Sequence, residues 1–496
     1  MKRPNPSLIL AVICFGVFVA ADDLTVVSTM LRQIVFDLQI PLPDGLDKAA
    51  WIINAYLIAY VVVMPVTGRI SDLVGRRAVY VAALLLFLLG SIWLPFAKTL
   101  PAFLAGRVLT AIGGGAMVPV GMAIIGDIFP TAKRPSALGI LGAVDTAGWV
   151  WGPLYGAMLI RFLSWKWQFY LNVPLALLGL IATWYVLRDL PAPVGRTRFD
   201  WLGTLTLTLS LLALNLALLN GSQIQNVANL SQLNDTGRDS PFLLYLLALA
   251  SLIAFIFFQR SRPDVALIDL KLFQRANFVP AGLVNFLVGA VLIIAMVNVP
   301  LFINIVVIDT VQAALDSGKL LSAMTISMAV MAYVGGKLTE RWGYRPVTMA
   351  GLLGISLAFW LMGQHWAANT PYRQMSWQLA LLGVGFGLLT APISAAVINA
   401  APESQRGIAA SLVIVFRLIG MSVGLSALTA WGLYRFNILR TQVELPAITD
   451  PNFGAALAAG LSHTTITILA ETFLISGLIS ALTLLIAANL RQEKKG

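Results

Sequence analysis

Runs of about 20 apolar residues recur along the chain, each long enough to cross roughly 30 Å of hydrocarbon at about 1.5 Å per residue. Between them there is no stretch with the size or polarity of an aqueous domain. That pattern excludes most folds, because in lipid every backbone polar group must be satisfied internally and helices do this within one segment. Of 496 residues 58% are hydrophobic and 11% charged, less than half the charged share of a soluble domain. The spacing predicts fourteen spanning helices, from about 7–31 at the start, through 319–338 for the tenth, to 407–435 and 465–490 at the end.

The net charge is +11. With the N-terminus inside, most Lys and Arg fall in the inner loops, so the charge is expected to orient the chain in a cell membrane, both termini cytoplasmic, and not to bind nucleic acid. The single cysteine, Cys14, lies in the first apolar run and the two histidines, His365 and His463, near loops, so no metal centre, cofactor or disulfide framework is expected. No nucleophile, base or metal constellation occurs in the spans, and no G-x4-G-K-[ST] loop, so neither catalysis nor ATP binding is expected and a proton gradient is the expected energy source.

The proline-containing basic stretch 188–200 and the polar insert 220–241 punctuate the chain as six spans, two extra, six spans. Expected units are therefore 1–188, 189–270 and 271–496. An internal repeat supports the division. "GRISDLVGRR" (68–77) follows the second span and "GKLTERWGYR" (336–345) follows the tenth, with Gly, base, acid, Gly and Arg at matching offsets: Gly68, Arg69, Asp72, Gly75 and Arg77 against Gly336, Lys337, Glu340, Gly343 and Arg345.

Several motifs carry a resemblance. "GRISDLVGRR" resembles motif A of the major facilitator superfamily, and "GRVLTAIGGGAMVP" its motif B, with Arg107 as the buried arginine. "GILGAVDTAGWVWGPLYG" resembles the antiporter motif C, through Gly139, Gly148, Gly152, Pro153 and Gly156. Fourteen spans with motif C are similar to the drug:proton antiporters of that size. "GIAASLVIVFRLIGMSVGLSALTAWGLYRFN" (407–437), with "GPLYG" and "ALIDLKLF", resembles the mycobacterial lipid exporters of the same superfamily, implicated in moving triacylglyceride-like lipids.

The resemblance implies two six-helix bundles with two linker helices and alternating access driven by protons. It implies a hydrophobic, amphipathic or lipid-like substrate, membrane lipids as surroundings, a monomer, and an extracytoplasmic lipid carrier as a partner. Alternatives are a lipid flippase without strict proton antiport, and a non-transporting receptor or scaffold.

A charge at the bilayer centre costs several kcal/mol unless it faces a partner or cavity. Asp22, Asp23, Arg107, Asp145 and Arg417 are such charges. Helix rise puts Asp23 and Arg107 at similar depth, so a pair is expected, and puts Asp145 and Arg417 near the midplane, as a second pair linking the halves. By resemblance Asp23 is the proton carrier, Arg417 matches the relatives' arginine, and the relatives' acid in span 5 falls where this chain has Thr146. Asp72 resembles the motif A acid that latches the halves, with Arg76 as an expected partner.

Gly148, Gly152 and Gly156 recur at i, i+4, i+8, a smooth stripe for close helix approach and a hinge face. Pro153 removes one backbone hydrogen bond and permits a bend. Asn54, Trp149, Met324 and Met328 are candidate substrate contacts, soft or aromatic surfaces suited to apolar ligands. The helix after span 13 is expected to continue beyond the membrane, with Arg440 and Glu444 at i, i+4.

Overall fold

The computed structural model describes residues 5–40, 46–190, 199–221, 241–263, 265–307, 309–442 and 453–491. Most of the basic linker 188–200 and of the insert 220–241, and Glu444, lie outside the described residues. Fourteen α-helices dominate. They are α1 Pro6–Asp37, α2 Leu46–Val74, α3 Arg76–Trp93, α4 Leu100–Ile128, α5 Arg134–Phe162, α6 Lys166–Val186, α7 Trp201–Gly221, α8 Phe242–Ser261, α9 Phe278–Val306, α10 Thr310–Trp342, α11 Tyr344–His365, α12 Tyr372–Ala400, α13 Arg406–Leu439 and α14 Phe453–Ala487. Thirteen of the described helices are long and apolar enough to cross a membrane. The other, α5, has 29 residues and lies between α1 and α10.

Helices α1–α6 pack on one another, as do α9–α14, while α7 and α8 form a separate pair touching α2 and α13. That pair is pinned at its end by Asp200, which accepts hydrogen bonds from the Gly203 and Leu267 amides and from Gln259.

The repeated loops build one end of the bundle. Gly75 and Gly343 have φ of 109° and 87°, where a side chain would be strained, and each opens the next helix with a one-residue turn. Packing between the halves concentrates at this end, called here the gate face. A Cβ at Gly68 would lie 2.9 Å from the Gly407 carbonyl carbon, and one at Gly336 2.6 Å from the Pro135 oxygen. Among the described residues, every hydrogen bond or ion pair joining α1–α6 to α9–α14 lies at this face.

Three spans are longer than their hydropathy suggests. Helix α10 has 33 residues, α13 34 and α14 35. At about 1.5 Å per residue each reaches roughly 50 Å, well past the hydrocarbon core. The expected continuation of α13 stops at Leu439, where a short 3-10 turn covers Arg440–Gln442. The larger extension belongs to α14, which begins at Phe453 and not near 465; the polar run Ser462-His463-Thr464-Thr465 interrupts the apolar pattern there while the backbone stays helical through it.

Candidate functional site

The centre of the N-terminal half is a charge network sealed in helix packing. On α4, Gly113, Gly114 and Gly115 allow α2 and α3 to approach so closely that little space remains beside them. Arg107, two turns earlier, is 1% exposed and Asp23 on α1 is 0% exposed. Arg107 Nη1 donates to Asp23 Oδ2 at 3.0 Å and to the Asp23 carbonyl at 3.3 Å. Asn172 of α6 donates to Asp23 Oδ1 at 3.0 Å. The guanidinium also sits 4.0 Å from the centre of the Tyr56 ring on α2, a cation–π contact. The pair expected from helix rise is therefore present.

Asp22 turns away from Arg107. It accepts from Gln168 Nε2 at 2.9 Å, and Gln168 also donates to Asn172 at 3.4 Å. The two α6 amides carry no charge and were not expected, although Gln168 and Asn172 stand in an otherwise apolar span at i, i+4, the spacing that puts both on one face.

Tyr56 stacks on Tyr60 at 5.8 Å, one turn along α2, and Tyr60 lies within electrostatic reach of both Asp145 and Arg417. The two tyrosines thus run from the first charge pair to the second. Asp145 and Arg417 are electrostatic neighbours, yet no hydrogen bond or ion pair within 4.0 Å joins them, contrary to the expected contact. The reason lies on α13, whose backbone is locked to α9: Gly289 meets the Arg417 backbone, Gly420 meets Phe286 and Gly424 meets Ala290. At this level α13 belongs rigidly to the other half.

Motif C divides its glycines between two neighbours. Gly139 faces α10, where a Cβ would lie 2.5 Å from the Ala332 oxygen. Gly148, Gly152 and Gly156 face α1, where Cβ atoms would lie 2.9 Å from the Phe18 oxygen, 3.0 Å from the Asp22 oxygen and 2.9 Å from Val26 Cγ2. The stripe binds helices of one half and not the seam between halves. Pro153 lies within α5.

At the gate face Asp72 accepts from the amides of Gly407 and Ile408, at 2.9 and 3.1 Å, and pairs with Arg76 at 2.5 Å. Asp127 bridges Arg76 and Arg406, each at 3.0 Å. Arg69 lies within electrostatic reach of Asp72, Asp200 and Asp269, and Arg77 donates to the Trp184 carbonyl on α6.

The second loop repeats the geometry with other groups. Arg134 donates to Asn399, and Asn399 to the Tyr344 hydroxyl. Glu340, at the offset of Asp72, keeps Oε1 buried without a partner. Pro135 stands second in α5, as Gly407 does in α13, and has no N–H to give. Lys337 rests over the Tyr333 ring, and Arg345 is exposed.

Of the candidate substrate contacts, Met324 and Met328 are 1% and 6% exposed, and their backbones meet Gly383 and Gly387 of α12, so they are core and not cavity lining. Asn54 is half-buried on α2, and Trp149 is half-buried with its indole N–H unpartnered. A wholly apolar cavity of about 330 Å³ lies between α2 and the linker helix α7, lined by Trp51, Ala55, Ile58, Val62, Leu212 and Leu216 among others.

A second charge pair was missed altogether: Arg435 of α13 and Glu471 of α14 form a two-bond contact, Nε to Oε2 at 2.7 Å and Nη2 to Oε1. Glu471 is the sole acid in α14, a signal as legible in the sequence as Arg417 in α13.

Two halves of membrane-length helices, joined by a helical pair and drawn together at one face by a duplicated loop, define a multi-pass membrane transporter. The chain belongs to the Major Facilitator Superfamily, whose family model matches residues 13–314. It is 32% identical to a triacylglyceride transporter of Mycolicibacterium hassiacum, over 92% of this chain and 85% of that protein. It is 33% identical to a triacylglyceride transporter of Mycobacterium tuberculosis, over 88% and 84%, and 30% identical to the multidrug transporter protein MdtP of Bacillus subtilis, over 93% and 82%. The fold matches that of the proton:xylose symporter XylE with a TM-score of 0.62 at 13% identity, covering 97% of this chain and 94% of that one.

Proposed function

We propose that the protein is a proton-coupled exporter of hydrophobic or amphipathic molecules, lipid-like ones foremost, working by alternating access in the cell membrane. The observation that carries this reading is the Asp23–Arg107 pair, 3.0 Å apart and sealed from solvent. A buried carboxylate held by one arginine changes its proton occupancy when that contact is made or broken, and so ties proton entry to a shape change. Asp23 is the carrier in this reading.

The Asp145–Arg417 gap supports a rocking motion, because these charges belong to different halves and close on each other only when the halves turn. The basic loops favour a cytoplasmic gate face, and in this reading the closed gate corresponds to an outward-facing state. Membrane-length apolar surfaces and relatives named for triacylglyceride and multidrug transport favour a lipid or drug over a polar solute.

A second reading, lipid movement without strict antiport, is favoured by the long α13 and α14, which offer a track beyond the bilayer toward the outer leaflet or a lipid-carrier protein. Proteoliposomes carrying a pH gradient, offered a lipid analogue or a cationic dye, distinguish the two. Substrate-triggered proton flux that disappears in Asp23→Asn supports antiport. Lipid movement that persists with the gradient collapsed supports the second reading.

A further inference from the structure

We infer that Asp22, beside the paired carboxylate, holds a proton of its own while Asp23 stays ionised against Arg107, so that the N-terminal half stores a proton at a second carboxyl group.

Adjacent helical residues point about 100° apart, and the two carboxyls accordingly have different partners. Both Asp23 oxygens are satisfied, one by Arg107 and the other by Asn172, each at 3.0 Å. Asp22 is only 6% exposed and receives a single hydrogen bond, from a neutral amide, Gln168 Nε2. Its other oxygen, Oδ1, is buried without a partner, and so is the Gln168 carbonyl oxygen Oε1. A carboxylate and an amide oxygen are both acceptors, so this corner of the network has two orphaned acceptors. Buried acceptors are rarely left so, and one proton on Asp22 supplies the donor they lack.

The charge count agrees. Among the described residues Arg107 is the one cation in contact with the network, and Asp23 already neutralises it. A bare carboxylate at Asp22 would leave a net negative charge in a low-dielectric interior, next in sequence to a like charge. The titratable groups facing Asp22 are Asp23 on α1, Tyr56 on α2 and Tyr155 on α5, none of them a cation, while α6 offers only Gln168. Neutralisation by a proton removes both penalties.

Position gives the proton a use. Gly148 and Gly152 press α5 against the Asp22 backbone, where Cβ atoms would lie 3.2 Å from its nitrogen and 3.0 Å from its oxygen. The same helix meets α10 of the other half through Gly139. A shift of α5 during rocking therefore changes the enclosure of Asp22. This use rests on the proton-coupled reading above; the occupancy itself does not.

Infrared difference spectroscopy on the full-length protein in liposomes, titrated through neutral pH, tests the occupancy. The carbonyl stretch of a protonated carboxyl is expected at neutral pH in the wild type, absent in Asp22→Asn and retained in Asp23→Asn. In Gln168→Leu, which keeps the carboxyl and removes its one donor, that stretch moves to higher frequency. No such band in the wild type, or a band that survives Asp22→Asn, overturns the assignment. Should Asp22→Asn not fold, Gln168→Leu decides, since an unshifted band places the proton elsewhere. A wild-type protein that shows the band but no substrate-driven proton flux would sink antiport and leave Asp22 standing, and wild-type flux without the band would do the reverse.

Discussion

The carboxylate of Asp72 accepts the Gly407 amide at 2.9 Å, bridging from the end of α2 to the first turn of α13 in the other half. A carboxylate at a helix N-terminus is worth about 0.3–1 kcal/mol, and up to about 2 when partly buried. Asp72→Asn keeps the shape and removes the charge. The expected outcome is a shift of up to about thirtyfold toward an open gate, read as lengthened spin-label distances between positions 74 and 403. An unchanged distance distribution would deny Asp72 a latching role.

Breaking the Asp23–Arg107 pair from either side should lower stability. Arg107→Ala strands a fully buried carboxylate and Asp23→Asn a fully buried guanidinium, and removing one partner of a buried pair costs on the order of 3–5 kcal/mol. Thermal unfolding in detergent should show a lower Tm for both variants than for the wild type. Wild-type Tm values in both would mean that the pair is not buried in the working protein.

The glycine ridge of α5 offers a matched comparison. At Gly152 a Cβ would crowd the Asp22 oxygen and Val26 nitrogen at 3.0 Å, both backbone atoms, while at Gly454 it would meet nothing. Gly152→Ala should lower stability by about 1–3 kcal/mol, the usual effect of overpacking, and Gly454→Ala should leave it within about 0.5. Yield and melting of the two variants check the contrast.

Arg435 and Glu471 tie α13 to α14 through two parallel hydrogen bonds. Either single alanine should weaken transport, and the exchange Arg435→Glu with Glu471→Arg should restore part of it. Bidentate arginine geometry is not fully reproduced after exchange, so partial rescue is expected. No rescue, with both singles folded, would show that the contact does not matter as a pair.

Much of the site was legible because helix rise converts sequence position into depth. Asp23 and Arg107 could be matched by height, and they meet. Height says nothing about azimuth or about which half a helix is bolted to, so Asp145 and Arg417 were brought to one level and left apart by the glycine lock of α13 on α9. Met324 and Met328 failed for a related reason: softness of a side chain does not reveal that α12 glycines draw its helix into the core. The α14 extension was hidden by the polar run from Ser462 to Thr465, which reads as a span boundary although a helical backbone carries it without a break.

The gate face carries two copies of one clasp that have drifted apart chemically. Around Asp127 the clasp is ionic, two arginines on one carboxylate; around Asn399 an arginine meets the amide oxygen and the amide nitrogen meets a phenol. Dissolved electrolyte weakens a carboxylate bridge. Rising ionic strength should therefore ease the grip that Asp127 of α4 keeps on Arg406 of α13, so the seam answers to the salt around it as well as to what passes through the protein.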